Sequence, residues 1–214
     1  MDTFAGRGKY DDGTEGSPLL TARLADECRA WSKPVEVHVV NVESQHDNYL
    51  ALVETTADSV SRGGTTNREG EFRNLLPTIL LQIQNHATFF FIDPYGPSHV
   101  YFSDLETILS RNAVTEMIIN FNLSGLSRIA DTIRMEPIAE KGRKTRSSNE
   151  ALVDSITGTS DWQKSFQDEH PERTAEMLTR YMEKIAGYRF SVVAYPIRES
   201  FQSSPKYYLV YCTS

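Results

Sequence analysis

The spacing of apolar and polar positions predicts a chain of alternating helices and strands. Apolar residues recur at the 3.6-residue period in five segments, which run over 17–31, 49–57, 75–83, 126–133 and 171–187. Ser103 and Glu106 have the spacing of a capping box, which predicts that a further helix starts there. Five β-branched or apolar runs predict strands, at 35–43, 88–92, 116–121, 188–197 and 206–212.

This order of elements is typical of an α/β fold with helices on both faces of a mostly parallel sheet. The last two strands follow each other across a short polar connection, so we expect them to pair antiparallel and to place one reversed strand near the C-terminal edge. Residues 59–70 are polar and glycine-rich, and form either a loop or a loop that contains a short strand. Residues 136–158 are charged and poor in apolar side chains, which predicts a flexible loop or insertion.

Composition narrows the class of protein. A chain of 214 residues with 39% hydrophobic content is an ordinary length for one domain, so we expect a single domain over 1–214. The formal charge of −7 argues against a surface generally adapted to nucleic acid. Cys28 and Cys212 suggest no disulfide framework, and no apolar run approaches the length of a membrane span. We expect a cytoplasmic protein without membrane or metal.

A glycine turn near the start is the first candidate for a binding site. Gly6 and Gly8 follow a strand-like stretch, where glycine lets the backbone turn sharply beside a ligand. Asp11 stands where a dinucleotide fingerprint has its third glycine, and an acid there repels a pyrophosphate. S-adenosylmethionine carries no phosphate, and its cations tolerate nearby carboxylates such as Asp2 and Asp12. The alternative is a tight turn without a ligand.

Two acids are further candidates for contacts with a bound adenosine. Glu43 ends the second strand, where an acid commonly accepts the ribose hydroxyls of a bound adenosine. Glu71 is a candidate for the adenine amine. The alternatives are a solvated strand end for Glu43 and an ordinary surface acid for Glu71.

These residues carry a resemblance to a known family. The segments Asp2–Tyr10, Gly16–Leu19, Phe91–Gly96 and Ile118–Phe121, in this order, resemble the three-Cys-motif partner (TcmP) family over nearly the whole chain. That family is similar to class I S-adenosylmethionine-dependent methyltransferases (EC 2.1.1) with a Rossmann-like sheet, and it is named for a neighbouring radical-enzyme-like protein with three cysteines. The resemblance implies a donor-binding turn made of Asp2, Phe4, Ala5, Gly6 and Gly8.

The chain departs from the family's pattern at two places. Arg7 stands where the family more often has proline, and its charge would oppose a sulfonium unless it points into solvent or onto an acid. Relatives carry helical sequence before the glycine motif, whereas Met1 directly precedes Asp2 here. We therefore expect a truncated first strand and a chain that lacks N-terminal residues of the family.

The resemblance also implies an acceptor site at Asp93, Pro94 and Tyr95. The tetrapeptide from Asp93 to Gly96 resembles the motif of amino-methyltransferases that act on adenine or cytosine, with one proline instead of two, which shifts Tyr95 relative to that motif's aromatic. Asp93 and the Pro94 carbonyl would accept amine hydrogens while Tyr95 stacks on the base. The alternative for Asp93 and Pro94 is a strand end with a proline-directed turn.

The sequence also offers weaker candidates for substrate contacts. A basic cluster inside the predicted loop would touch the phosphates of a nucleic acid or remain a solvated surface, and its members are Lys141, Arg143, Lys144 and Arg146. Trp162 and Phe166 would line a substrate cleft or pack in the core or in a lid. Two functions follow: methyl transfer from S-adenosylmethionine to a nitrogen such as a nucleobase amine, or a non-catalytic adaptor that acts through a partner protein.

Overall fold

The computed structural model describes residues 1–135, 140–167 and 172–214, with the side chains of 134, 135, 140–145, 165 and 167 also outside the description. The chain divides into two compact units. Unit 1 comprises residues 1–84 and 88–93, and unit 2 comprises residues 85–87 and 94–214. The single domain expected from the sequence stays a prediction.

Unit 1 alternates short strands with helices. Its strands are β1 (Val39–Glu43), β2 (Thr65–Glu69) and β3 (Thr88–Ile92). Its helices are α1 (Ser17–Arg29), α2 (His46–Thr55), α3 (Ala57–Ser61) and α4 (Phe72–Gln82). The buried side chains of α4 recur at helical spacing, and they are Phe72, Leu76 and Ile79. This segment is helical because one apolar face packs into the core.

The N-terminal segment (Met1–Ala5) lies between β1 and β3 as a short parallel strand. Asp2 donates its N–H to the Val40 carbonyl at 2.8 Å and accepts the Val42 N–H at 2.9 Å. On the other side, Thr3 donates to the Phe91 carbonyl at 3.0 Å. Since β1 and β2 are also parallel, unit 1 has the order β2, β1, N-terminal segment, β3.

The strands are not added to the sheet in one direction only: the order in which they are added reverses once, as in doubly wound sheets. The chain moves outward from the N-terminal segment to β1 and β2, and then returns to place β3 on the segment's other side. The segment is thus the inner strand at the reversal point. Asp2 makes the paired bridges to Asn41 on one side and to Phe91 on the other.

Unit 2 contains the remaining strands, β4 (Thr115–Phe121), β5 (Ser191–Ile197) and β6 (Tyr207–Thr213). β6 is antiparallel to both β4 and β5, so β4 and β5 run in the same direction and β6 is the reversed strand. The predicted antiparallel pair is confirmed. The chain is therefore an α/β protein with mostly parallel strands and one reversed strand near the C-terminus.

The helices of unit 2 follow a short 3-10 turn at Pro97–His99. They are α5 (Phe102–Leu109), α6 (Leu123–Met135), α7 (Glu140–Thr157), α8 (Trp162–Gln167) and α9 (Arg173–Ala186). Four residues of α9 at helical spacing are buried, and they are Met177, Leu178, Tyr181 and Ile185. This apolar stripe explains why the strongest helical pattern of the sequence is a helix.

The predicted loop over 136–158 is wrong for residues 140–157, which form α7. The first half of this helix is almost entirely polar, but Val153 and Ile156 are buried in its second half and supply the packing. Residues 136–139 lie outside the described residues.

Two other boundaries differ from the predictions. The strand predicted from Val35 begins at Val39, because the Val35 N–H donates to the Cys28 carbonyl at 3.1 Å, at the end of α1. Helix α5 begins at Phe102, and its capping acid is Asp104, which accepts the Tyr101 N–H at 2.8 Å. The capping box predicted for Ser103 is therefore displaced by two residues.

A short strand, β2, does lie within the glycine-rich stretch 59–70, as one of the two alternatives for that stretch expected.

Candidate functional site

The parallel strands of unit 1 end at a common edge, which we call the carboxyl edge. The N-terminal segment leads into Gly6, β1 ends at Glu43, β2 ends at Glu69, and Asp93 follows β3. Open α/β sheets bind ligands at this edge, where the strand order reverses. The structure thus brings the predicted glycine turn and three acids to one side of unit 1.

The glycine turn depends on backbone conformations that favour glycine. Gly6 has φ +63° and Gly8 has φ +80°, both in the left-handed region. A Cβ on Gly8 would lie 2.9 Å from the Thr55 methyl, so the turn also packs closely against α2. A Cβ on Gly6 would meet no atom within 4 Å. Gly6 therefore borders open space, whereas Gly8 anchors the turn.

Glu43 connects the glycine turn to β1. Its side chain is buried, and its two carboxylate oxygens accept the N–H of Gly6 at 2.8 Å and the N–H of Gln45 at 2.7 Å. A carboxylate offers about four acceptor positions, so each oxygen keeps one for a ligand. The predicted contact with ribose hydroxyls would use these remaining positions.

The Asp2 side chain is hydrogen-bonded within unit 1, and its predicted part in donor binding stays a prediction. The residue is only 2% exposed, and its carboxylate accepts the Ser17 hydroxyl at 2.6 Å and the Phe4 N–H at 3.3 Å. Burial raises the pKa of Asp2, and the Ser17 hydrogen bond opposes that rise. The acid ties the start of α1 to the N-terminal segment. Ala5 continues this segment with an N–H donated to the Val42 carbonyl at 2.9 Å.

The charge of Arg7 is directed onto an acid. Its guanidinium lies 3.1 Å from the Asp11 carboxylate, with both side chains exposed. Arg7 therefore points onto an acid, and its charge would not oppose the sulfonium of a cationic donor.

Phe4 precedes the glycine turn. Its ring centroid lies 5.8 Å from that of the buried Phe72.

Glu71 lies exposed between β2 and α4. The preceding residue, Gly70, donates its N–H to the Glu43 main-chain carbonyl at 2.9 Å. Glu71 is thus connected to the end of β1 through the backbone. Its predicted contact with an adenine amine stays a prediction.

A His–Glu pair at the carboxyl edge was missed in the sequence. Nδ1 of His46 lies 2.7 Å from Oε1 of Glu69, and Glu69 is paired in register with Glu43. The Glu69 carboxylate raises the pKa of His46, first through the hydrogen bond and then through its charge. The signal available in the sequence was the position of Glu69 at a strand end, which the glycine-rich surroundings obscured.

The predicted acceptor residues differ in their surroundings. Asp93 is exposed and belongs to unit 1. Pro94 and Tyr95 belong to unit 2, where Pro94 is half-buried and Tyr95 is 100% exposed. The Tyr95 ring is therefore open to solvent.

Unit 2 contains a small cavity at the end of β4. Its volume is about 20 Å³, enough for about one water-sized group. The lining is mostly apolar and comprises Pro94, Pro97, Val100, Ile119, Asn120, Phe121, Asn122, Leu126, Ile156 and Tyr181. Among the predicted acceptor residues, Pro94 lines this cavity and Tyr95 does not. The aromatic walls come instead from Phe121 and Tyr181.

Trp162 and Phe166 are core residues of unit 2. Both are at most 3% exposed, their rings meet edge to face at 5.8 Å, and the indole N–H donates to Asp154 at 2.6 Å. The core alternative is thus the one that the structure supports, and neither side chain lines the cavity.

The basic cluster is helical rather than part of a loop, because its positions fall within α7. Arg146 is exposed and pairs with Glu150 at 3.1 Å, one helical turn away. The side chains of Lys141, Arg143 and Lys144 lie outside the described residues. Over the described ranges, no group of three or more His, Cys, Asp or Glu side chains is arranged to hold a metal, and no helix has the length and apolarity needed to span a membrane.

Comparisons with known proteins give distant likenesses. No family model matches the chain, and no curated protein matches it. Among solved structures, a candidate O-methyltransferase from Klebsiella pneumoniae is 15% identical with a TM-score of 0.46, covering 90% of this chain and 66% of its own. The O-methyltransferase TomG from Streptomyces achromogenes, in complex with SAM, is 14% identical with a TM-score of 0.40, covering 84% and 62%.

An O-methyltransferase from Bacillus cereus, in complex with SAH, is 14% identical with a TM-score of 0.41, covering 85% of this chain and 64% of its own. The chain thus spans 62% to 66% of the length of these three proteins. At these identities and TM-scores the likenesses establish neither a family nor an activity.

Proposed function

We propose that this protein binds S-adenosylmethionine at the carboxyl edge of unit 1 and acts as a methyltransferase. The observation that carries the proposal is the position of the glycine turn at the point where the strand order reverses. There the Gly6 N–H is bonded to Glu43, the acid that ends the neighbouring strand, at 2.8 Å. Nucleotide-type ligands bind at such reversal points.

The residues at this edge suit an adenosyl donor. The open space beside Gly6 allows a ligand to approach the backbone, and Glu43 keeps acceptor positions for ribose hydroxyls. Asp11 and Asp12 are exposed on the loop that follows the turn, which favours a cationic ligand over a pyrophosphate. Glu71 would accept the adenine amine. The bound donor supplies an activated methyl group on a sulfonium.

The acceptor in this proposal is a nitrogen, in particular the amine of a nucleobase in DNA or RNA. Such an amine is a weak nucleophile because its lone pair is conjugated with the ring. Asp93 and the Pro94 carbonyl would accept its hydrogens and orient it, and the exposed Tyr95 ring would stack on the base. Rate enhancement would then come from positioning and charge, with Arg146 and its basic neighbours contacting phosphates.

The alternative proposal is a non-catalytic adaptor that acts through a three-Cys-motif partner protein. One observation favours it: two of the predicted donor-binding acids, Asp2 and Glu43, are buried and hydrogen-bonded within unit 1. In an adaptor these acids would only hold the turn together.

Incubation with methyl-labelled donor and with DNA, RNA or partner protein distinguishes the two proposals. We expect label on a nucleic-acid nitrogen, and its loss in Asp93→Asn. Glu199→Gln is the control, because Glu199 is an exposed acid that pairs with Lys206 in the connection between β5 and β6. Donor binding without transfer to any acceptor would favour the adaptor. Full transfer by Asp93→Asn would remove that residue from the mechanism.

A further inference from the structure

A buried amide in the middle of β1 has one oxygen without a hydrogen-bond donor. Asn41 is 0% exposed, and its Oδ1 has no hydrogen-bond partner among the residues that the structure describes. Burial of an acceptor without a partner costs the free energy of its lost bonds to water. The Asn41 amide therefore calls for a donor group beside Oδ1.

The orientation of this amide follows from its neighbours. The Thr56 hydroxyl donates to the Leu52 carbonyl at 2.7 Å, so the hydroxyl oxygen accepts the Asn67 NH2 group at 2.8 Å. Oδ1 of Asn67 in turn accepts the Asn41 NH2 group at 3.0 Å. Exchanging the oxygen and nitrogen of Asn41 would set two oxygens against each other. The oxygen is thus the atom of Asn41 that lacks a partner.

Asp2 is the register partner of Asn41 on the other side of β1. The two residues form a parallel bridge, in which the Asp2 N–H donates to the Val40 carbonyl and the Val42 N–H donates to the Asp2 carbonyl. Residues paired in register point their side chains to the same face of a sheet. Because the Asn41 NH2 group bonds Asn67 on β2, Oδ1 lies on the side of the N-terminal segment.

The Asp2 carboxyl group can supply the missing donor only when it is protonated. It accepts the Ser17 hydroxyl at 2.6 Å and the Phe4 N–H at 3.3 Å. An ionised carboxylate has acceptors only, whereas a protonated carboxyl group also has one O–H donor. We propose that at neutral pH the Asp2 carboxyl group carries a proton and donates it in a hydrogen bond to Oδ1 of Asn41. This bond would form whether or not unit 1 binds a methyl donor.

The charged groups around Asp2 agree with a protonated acid. Burial raises the pKa of Asp2, and the charge of Asp93 raises it further. The opposing contributions come from the Ser17 and Phe4 hydrogen bonds and from the Met1 amine. Burial lowers the pKa of that amine to about 6, so most of its charge is lost at neutral pH. The two hydrogen bonds are then the main stabilisation of an ionised Asp2, against the cost of burial.

This proton would make the inner strand of unit 1 sensitive to pH. Once Asp2 ionises, its carboxylate and the Asn41 oxygen are two buried acceptors that face each other in the segment before the glycine turn. Asn41 is therefore a positioning residue in this proposal: it holds the proton on Asp2, and through Asp2 it holds the N-terminal segment against β1.

The test is the carboxyl-carbon chemical shift of Asp2, followed by NMR across the acidic and neutral range in the full chain. We expect the shift of a protonated carboxyl group at neutral pH. In Asn41→Leu the protonated form loses its acceptor, so the titration midpoint of Asp2 should move down by about one pH unit. Thr65→Val is the control, because Thr65 is also buried but bonds the Ser59 hydroxyl, at 2.6 Å, and should leave Asp2 unchanged.

A carboxylate shift for Asp2 at neutral pH would overturn the inference. An Asp2 midpoint that is the same in wild type and Asn41→Leu would also overturn it, because burial alone would then account for the proton.

A second measurement uses stability. Asp2→Asn copies the protonated acid, since its NH2 group donates to Asn41 while its carbonyl oxygen accepts the Ser17 hydroxyl. We expect this variant to match the urea midpoint of wild type at acidic pH and to exceed it at neutral pH, where the wild type has lost stability linked to the proton. Glu43→Gln makes the same change in an acid that accepts two backbone N–H groups, and should lower the midpoint. An Asp2→Asn midpoint below that of wild type at neutral pH would contradict the proton on Asp2.

Discussion

The Glu43 carboxylate accepts the Gly6 N–H at 2.8 Å, and so joins the end of β1 to the turn that follows the N-terminal segment. The same carboxylate accepts the Gln45 N–H at 2.7 Å. One buried acid therefore fixes the exits of two neighbouring parallel strands. Any ligand that reaches Glu43 meets a carboxylate that is already oriented by the backbone.

Replacing Glu43 with Gln should destabilise the protein and weaken the binding of S-adenosylhomocysteine. The amide offers one carbonyl oxygen to two backbone donors, so one part-buried N–H loses its acceptor. We expect a loss of about 1–3 kcal/mol in the free energy of unfolding, measured by urea denaturation.

The control for this prediction is Glu69→Gln, which alters an exposed acid at the next strand end. Its pairing with His46 is a surface interaction, so we expect a smaller loss of stability than in Glu43→Gln. Equal losses in the two variants would show that Glu43 does not hold the turn.

Gly8→Ala should be more destabilising than Gly13→Ala. Both glycines have φ above +75°, but a Cβ lies 2.9 Å from the Thr55 methyl at Gly8 and meets no atom within 4 Å at Gly13. Each change costs about 1–2 kcal/mol of backbone strain, and only Gly8→Ala adds a steric clash. Adding Thr55→Ser, which removes the methyl, should recover part of the loss in thermal unfolding. No recovery in this double variant would mean that the contact is not limiting.

Ser17→Ala should make stability fall more steeply as pH rises. Burial raises the pKa of Asp2 in the folded state. Stability linked to this group is thus complete below its unfolded pKa of about 3.9 and is lost as pH rises through the folded pKa. Removing the Ser17 hydroxyl raises the folded pKa further. Urea midpoints measured across the acidic and neutral range should diverge between variant and wild type as pH increases, and parallel curves would contradict the assignment.

His46 should titrate above its usual range because of Glu69. The stability from this pair is present below the unfolded pKa of about 6.5 and is lost as pH rises through the raised folded pKa. In Glu69→Gln, the NMR titration midpoint of the His46 ring should move down. A midpoint unchanged by this substitution would show that the pair does not persist in solution.

The sequence predicted the elements whose signal is local. β3 coincides with its predicted run, Thr88–Ile92, because five apolar or β-branched residues stand between polar turns. Helix α7 was missed because its packing depends on Val153 and Ile156, which follow more than ten mostly polar residues. Local composition cannot show that so few contacts suffice to hold a helix.

The candidate site was predictable only in part, for a related reason. Gly6 and Glu43 carry local signals, a glycine turn and a strand-final acid. Tyr181 and Asn122 do not: one is part of the apolar stripe of α9 and the other caps α6. Their common cavity arises from residues that are far apart in the sequence, and single-sequence patterns do not encode such pairings.

The most direct test of the proposed function is calorimetric titration of the full chain with S-adenosylhomocysteine, comparing wild type, Gly6→Ala and Gly13→Ala. Both glycines are left-handed and border open space, so the two changes impose similar strain. We predict binding by wild type and Gly13→Ala, and binding weakened at least about tenfold in Gly6→Ala, because only Gly6 lies at the carboxyl edge. A well-folded wild-type protein that gives no binding signal would contradict the proposal.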